Sequence, residues 1–179
     1  GGGITTFEQM KEIFYMGFEK VVLNTSFVQN FDLFEKAAVY FGSQSIVASV
    51  DYKKGLGKNS CYIMDGTQKV RYTPVELSLE AEKLGAGEIL LYSIDHDGMK
   101  NGYDIKMISE ITRRIQIPVI ACGGAGDLKD LKNALDAGAH AVAAGSLFVY
   151  FGNRDAVLIN FPDEKELIQN NIFEEQVDE

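Results

Sequence analysis

Carboxylates and glycine–hydroxyl sets are the residues in this chain that could do chemistry. Asp51 closes the apolar run Ser-Ile-Val-Ala-Ser-Val-Asp at 45–51, and strand alternation puts Val47, Ser49 and Asp51 on one face. A carboxylate at the rim of such a face can take up and return a proton. Two further sets match each other: Gly3 with Asn24 and Thr25, and Gly124 with Gly145 and Ser146 beside Asp97-Gly98. Backbone without side chains lets N–H groups close around phosphate oxygens, while hydroxyls and a following helix start add donors. Each feature also has a plainer reading. The glycines could serve tight strand–helix turns, and Asp51 could simply accept loop N–H groups at a strand end.

Other chemistries are poorly supplied. The cysteines, Cys61 and Cys122, have no paired spacing, and neither has a histidine or asparagine placed to activate it. Cys122 therefore reads as a small residue near the site facing the core, and the thiol usage fits a reducing cytoplasm. No His cluster suggests a metal, and no cofactor is expected. The net charge of −9 excludes a phosphate-backbone partner such as nucleic acid, so any anion has to be held locally by backbone. No apolar run reaches the length of a membrane span, and no signal peptide is evident at the start.

The elements that must position these residues follow from periodicity. Short β-branched runs at 20–24, 45–51, 88–93, 117–122 and 140–144 alternate with helical patterns at 6–16, 30–41, 74–84, 104–114, 127–136 and 163–170. That alternation predicts β-α units around a parallel sheet. The stretch 53–72, with Gly55, Gly57 and Gly66, reads as an inserted excursion with its own hairpin.

An internal repeat sharpens the expectation. At a constant offset of 121, Gly2-Gly3 meets Gly123-Gly124, Phe7 meets Leu128, Gly17 meets Gly138, Val21 meets Val142 and Thr25 meets Ser146. That offset holds about four β-α units of ~30 residues, so two such halves make an eight-unit barrel. The fold class expected is α/β, a (β/α)8 TIM barrel truncated to roughly strands 4–8 with the end of strand 3 at Gly1-Gly2-Gly3. Residues 1–179 would form a single domain whose first three β-α units are missing. An open doubly wound sheet of five strands is the alternative.

The segments Gly-Gly-Gly-Ile at 1–4, Glu-Lys-Val-Val-Leu-Asn-Thr at 19–25, Val-Asp at 50–51, Gly-Ala-Gly-Glu-Ile-Leu-Leu at 85–91, Ser-Ile-Asp-His-Asp-Gly at 93–98, Gly-Tyr-Asp at 102–104 and Pro-Val-Ile-Ala-Cys-Gly-Gly-Ala-Gly at 118–126 carry a resemblance that runs through the chain. By them the chain resembles the cyclase subunit of imidazole glycerol phosphate synthase, the HisF family. It implies that Asp51 is one of two acid/base aspartates, the other lying 121 residues earlier, upstream of Gly1. It implies that Asp97 binds substrate, and that ammonia from a partner glutaminase enters past a charged gate to which Lys20 and Glu88 belong. The reaction implied converts a bis-phosphate ribotide to imidazole glycerol phosphate and aminoimidazole carboxamide ribotide, in histidine biosynthesis. Lys20 and Glu88 could equally be a salt bridge in the barrel floor. His96 stands where the family carries Arg and reads as a solvated loop residue, Asp95 as a loop-shaping one and His140 as structural.

The tail departs from that pattern. Segments 143–152 and 154–162 look more like paralogues found with surface-polysaccharide genes, which imply acetamidino-group formation on sugars with a glutaminase partner, and Met99 replaces the usual Thr. A non-catalytic half-barrel scaffold is the alternative from another class, and this chain alone is expected to be inactive.

Overall fold

The computed structural model describes residues 1–151 and 156–173. In chain order it runs α1 (Phe7–Tyr15), β1 (Val21–Leu23), α2 (Thr25–Gln29), α3 (Phe31–Phe41), β2 (Ile46–Lys53), β3 (Ser60–Ile63), β4 (Gln68–Lys69), α4 (Pro74–Lys83), β5 (Glu88–Ser93), α5 (Ile105–Thr112), β6 (Val119–Cys122), α6 (Leu128–Asp136), β7 (Ala141–Ala143), α7 (Ser146–Val149), β8 (Tyr150–Phe151), β9 (Ala156–Val157) and α8 (Glu164–Gln169). Strands β1, β2, β5, β6 and β7 lie side by side in that order, every neighbouring pair parallel. Helices make the crossovers, so the fold is α/β with the sheet of a (β/α)8 barrel. The expected hairpin is present as β3–β4, antiparallel.

Local sequence explains where the helices begin. Thr6, Thr73, Asp127 and Asp163 each accept from the backbone N–H three residues on, and the side chain at that position answers the cap's own N–H. Such reciprocal caps satisfy two orphan donors at once. Pro74 opens α4, where its fixed torsion suits a first helical position.

The core is one layer between sheet and helices. Ile46, Ala48, Val50, Ile89 and Val119 face it from the strands and are fully buried, against Phe34, Leu77, Ile108, Ile111 and Ala134 from the helices. Alternate strand residues point the other way, and there Val22, Leu90, Tyr92, Ile120 and Cys122 are only half-buried. Val47 and Ser49 are the best covered on that concave face.

The repeat extends to backbone torsions. Helix α6 starts and ends 121 residues after α1, and both have reciprocal caps. Gly17 and Gly138 take φ of 90° and 104° in the turns that follow. Asn24 and Gly145 share an unusual conformation, φ −113°, ψ −78° and φ −105°, ψ −68°, immediately before α2 and α7. Those two short helices were not expected, since a single turn shows no periodicity in sequence. Of the divergent tail, Gly152, Arg154 and Asp155 lie outside the described residues.

Candidate functional site at the strand ends

Strand β2 outlasts its neighbour β1, and this sets the geometry of the site. β1 pairs with Ile46 to Ala48, while β3 takes up the same edge from Asp51 onward, with Asp51 opposite Tyr62. The hairpin thus stands directly beyond the end of β1, over Asn24 and Thr25. Asn24 Nδ2 donates to the carbonyls of Ser49 at 3.1 Å and Tyr62 at 3.2 Å. Thr25 Oγ1 accepts from Met64 N–H at 3.0 Å. Both side chains therefore tie strand, hairpin and α2 together, a task the sequence did not reveal.

A cavity of about 510 Å³ lies between these parts, lined by Gly1 to Thr5, Asn24 to Ser26, Ser49, Asp51, Met64 and Asp65. Gly2 and Gly3 have φ of 83° and 67°, and a Cβ on either would meet no atom within 4 Å. Their glycine identity follows from backbone torsion with open space in front, not from crowding.

Asp51 is the chemically distinctive group in that cavity. Its carboxyl is pushed up to about 6 by burial, with the nearby charge of Asp65 adding to the effect and the Ser49 hydroxyl opposing it. That hydroxyl donates to Asp51 Oδ1 at 2.5 Å, a charge-favouring bond that burial outweighs. The result is a carboxyl able to gain or lose a proton near neutral pH. Ser49 and Asp65 were absent from the expected site. The Asp-Gly pair at 65–66 signals a hairpin tip, but only the register of β3 on β2 brings that tip to Asp51.

The second glycine–hydroxyl set is arranged differently. A Cβ on Gly124, at φ 119°, would lie 2.2 Å from the carbonyl oxygen of Gly102, and Gly102 N–H donates to Gly124 O at 2.8 Å. Gly126 is pressed in the same way by Lys100. The loop from β5 to α5 is thus laid on the glycine run 123–126, a packing reason for those residues that Gly3 lacks. Gly145 meets nothing within 4 Å, and its φ of −105° is open to any residue. Ser146 starts α7 beside it. These residues do not line the cavity around Asp51; near them a groove of about 460 Å³ runs between Lys100, Gly126, Leu147, Tyr150 and Glu166.

Asp97 sits exposed on the β5–α5 loop and accepts from the Tyr92 hydroxyl at 2.7 Å. Burial, then that bond and charge, hold the Tyr92 phenol protonated far above neutral pH. Gly98 follows at φ 74° in open space. Asp95 accepts from Lys54 N–H at 2.6 Å, the loop-shaping role expected of it. His96 differs from expectation. It is half-buried, its Nδ1 2.7 Å from Ser93 Oγ and its Nε2 3.3 Å from Lys54 Nζ. Ser93 points to the helix side of the sheet, so His96 pins the loop there rather than floating in solvent.

Cys122 lies on the concave face, its thiol pushed up to about 11 chiefly by burial, so it stays protonated and is no nucleophile. His140 Nδ1 accepts from Val119 N–H at 3.3 Å, a structural contact at the opposite end of the strands. Lys20 and Glu88 form an ion pair at that same end, and their side chains are 43% and 20% exposed, so the pair is partly solvated.

Parallel β-α units that gather a glycine-walled cavity and a near-neutral carboxyl at the C-terminal ends of their strands define an α/β protein of the barrel class. Residues 1–155 match the family model described as histidine biosynthesis protein, and the chain belongs to that family. It is 44% identical over 169 residues to a Pseudomonas aeruginosa protein with the provisional name imidazole glycerol phosphate synthase subunit hisF2, covering 93% of this chain and 67% of that protein. A Vibrio vulnificus protein provisionally named as subunit hisF3 is 40% identical over 172 residues, 93% of this chain and 65% of its own. The imidazole glycerol phosphate synthase subunit HisF of Alkaliphilus metalliredigens is 43% identical over 152 residues, 84% of this chain and 60% of that protein. The chain thus spans about two thirds of the length of the curated relatives it matches. Among the described residues no helix is long and apolar enough to cross a membrane.

Proposed function

We propose that this chain is part of a cyclase of the imidazole glycerol phosphate synthase type, five β-α units of a single eight-unit barrel domain. The observation that carries the reading is Asp51, a carboxyl poised near neutrality in a cavity walled by side-chain-free backbone. In this proposal ammonia attacks a bis-phosphate ribotide, the imidazole ring closes and the carboxamide ribotide departs, with Asp51 moving protons. Gly3, Asn24 and Thr25 would hold one phosphate through backbone N–H groups. Gly124, Gly145 and Ser146, beside Asp97 and Gly98, would hold the other.

Ammonia would come from a glutaminase partner seated at the opposite end of the strands, where Lys20 and Glu88 pair and Tyr15, Met16 and Phe18 lie exposed. An exposed aromatic group beside a charged pair suits a protein interface. The working compartment proposed is the cytoplasm. The test is turnover of the bis-phosphate ribotide by the full-length protein with ammonium chloride, expected to yield both products; a folded protein without turnover would overturn the reading.

A second reading is favoured by the extent of the matches. Relatives with provisional names match over 93% of the chain, while the Alkaliphilus subunit matches over 84% and the family model stops at residue 155. The tail is thus shared with the provisionally named group. On that reading the same ammonia chemistry serves amidation of a surface-polysaccharide sugar, and an activated sugar replaces the ribotide as substrate. A scaffold without catalysis would bind the glutaminase and turn over neither.

A further inference from the structure

The hairpin tip brings a second carboxylate to the cavity of Asp51. Asp65 lines that cavity together with Asp51, Ser49 and Gly3. Its position is fixed from several sides: Met64 N–H donates to Thr25 Oγ1 at 3.0 Å, Thr67 Oγ1 donates to Met64 O at 2.5 Å, and Lys53 Nζ donates to Gly66 O at 2.8 Å. Met64 and Asp65 both take φ of 54°, so the tip is a defined left-handed turn rather than a loose loop.

Like charges that line one cavity do not ionise independently. We propose that Asp65 is a positioning residue for Asp51, placed by the hairpin so that Asp51 enters the reaction carrying its proton and acts first as the acid. The inference rests on the proposed role of Asp51 in proton transfer. Addition of ammonia to an electrophilic carbon leaves an oxygen that must gain protons and a nitrogen that must lose them. Asp51 gives its O–H proton to that oxygen, becomes a carboxylate, and recovers a proton from the nitrogen, so the enzyme ends as it began.

The other groups around Asp51 do not take over this role. Ser49, on the same strand, donates to the carboxylate and works in the opposite direction. Tyr92 from β5, Cys122 from β6 and Cys61 from β3 are all held in their neutral forms by burial. Lys53, two residues along, spends its ammonium on Gly66 O. Asp65 is thus the group on a packed neighbouring element whose charge adds to the effect of burial on Asp51. Its own exposure at the tip keeps the effect modest in water. A substrate filling the cavity expels that water and strengthens the coupling.

Aspartate at 65 could serve only the turn, since Asp and Asn both tolerate φ above zero. The Asp65→Asn variant separates the two roles, because it keeps the turn and removes the charge. The experiment follows the side-chain carboxyl carbons of 13C-labelled aspartate in the full-length protein, with the Asp51 signal assigned by its loss in Asp51→Asn. We expect the parent midpoint near 6, a fall of roughly half a unit in Asp65→Asn, a rise in Ser49→Ala, and the parent value in Asp65→Glu. The ammonia-dependent pH–rate profile should move with the Asp51 midpoint. An unmoved Asp51 midpoint in a folded Asp65→Asn protein overturns the proposal. Retained turnover in Asp51→Asn overturns the proposed function instead, even where the coupling between the carboxyls is seen.

Discussion

Asp51 combines two properties that pull against each other: it is ionisable, and it is largely covered. Because its folded-state value is raised, to about 6, above the ordinary aspartate value, protonated Asp51 favours the fold. That contribution is fully present below about pH 4 and is lost as the pH rises through about 6. Asp51→Asn, which cannot ionise, should therefore be more stable than the parent at pH 8 by about 3 kcal/mol, with the difference vanishing toward pH 4. Denaturant titrations at the two pH values measure this. In the full-length protein the same variant should lose ammonia-dependent turnover while substrate affinity stays within roughly tenfold, since proton transfer is deleted and shape is kept. A variant that gains stability and loses activity marks a residue placed for chemistry rather than folding. The place of Asp51 near the C-terminal end of its strand was legible from alternation in 45–51, although β2 runs on to Lys53; its sharing of a cavity with Asp65 was not, because strand register across a hairpin is invisible in a single sequence.

At the scale of elements, the fate of the two glycine–hydroxyl sets is the instructive case. Their equivalence was readable as an offset of 121, and the structure extends it to matching caps and matching torsions at Asn24 and Gly145. What the sequence could not convey is which glycines are crowded. Gly124 has the Gly102 carbonyl against it, so Gly124→Ala combines a clash with a disfavoured φ and should cost several kcal/mol or prevent folding. Gly145→Ala meets open space at an ordinary φ and should leave the melting temperature within a few degrees. A phosphate titration followed by amide NMR then gives a clean reading: weaker binding around Ser146 in Gly145→Ala supports the second cradle, and unaltered binding argues against it. Thr25 belongs to the same comparison. Thr25→Val removes the acceptor for Met64 N–H, so exchange of that amide should quicken by about fivefold, for a bond of ~1 kcal/mol. His96 was misjudged from sequence for a related reason, since its partners Ser93, at the end of β5, and Lys54, in the loop just past β2, are brought side by side only by the folded sheet.

Across the whole molecule, the proposed chemistry and the proposed ammonia supply fall at opposite ends of the strands. Asp51 and its cavity lie at the C-terminal ends, and the Lys20–Glu88 pair at the N-terminal ends, separated by the length of β2 and β5 along the concave face. Two roles for the pair lead to different results. As a floor salt bridge it would be a weak one, because Lys20 is 43% exposed and partly solvated pairs contribute about 1 kcal/mol or less. Lys20→Ala would then lower stability slightly and affect ammonia-driven and glutamine-driven turnover alike. As a gate between a glutaminase and the concave face, the pair would control passage of ammonia, and the same variant would leave activity with external ammonium largely intact, since ammonium reaches the cavity from its own side. The quantity that separates the roles is product formed per glutamine hydrolysed, measured in the full-length complex with its glutaminase. We expect it to fall well below the parent ratio in Lys20→Ala, because ammonia released at a disrupted entrance escapes to solvent before it reaches Asp51. An unchanged ratio in a variant that only melts earlier would leave the pair a structural contact and move the search for an ammonia route elsewhere on the molecule.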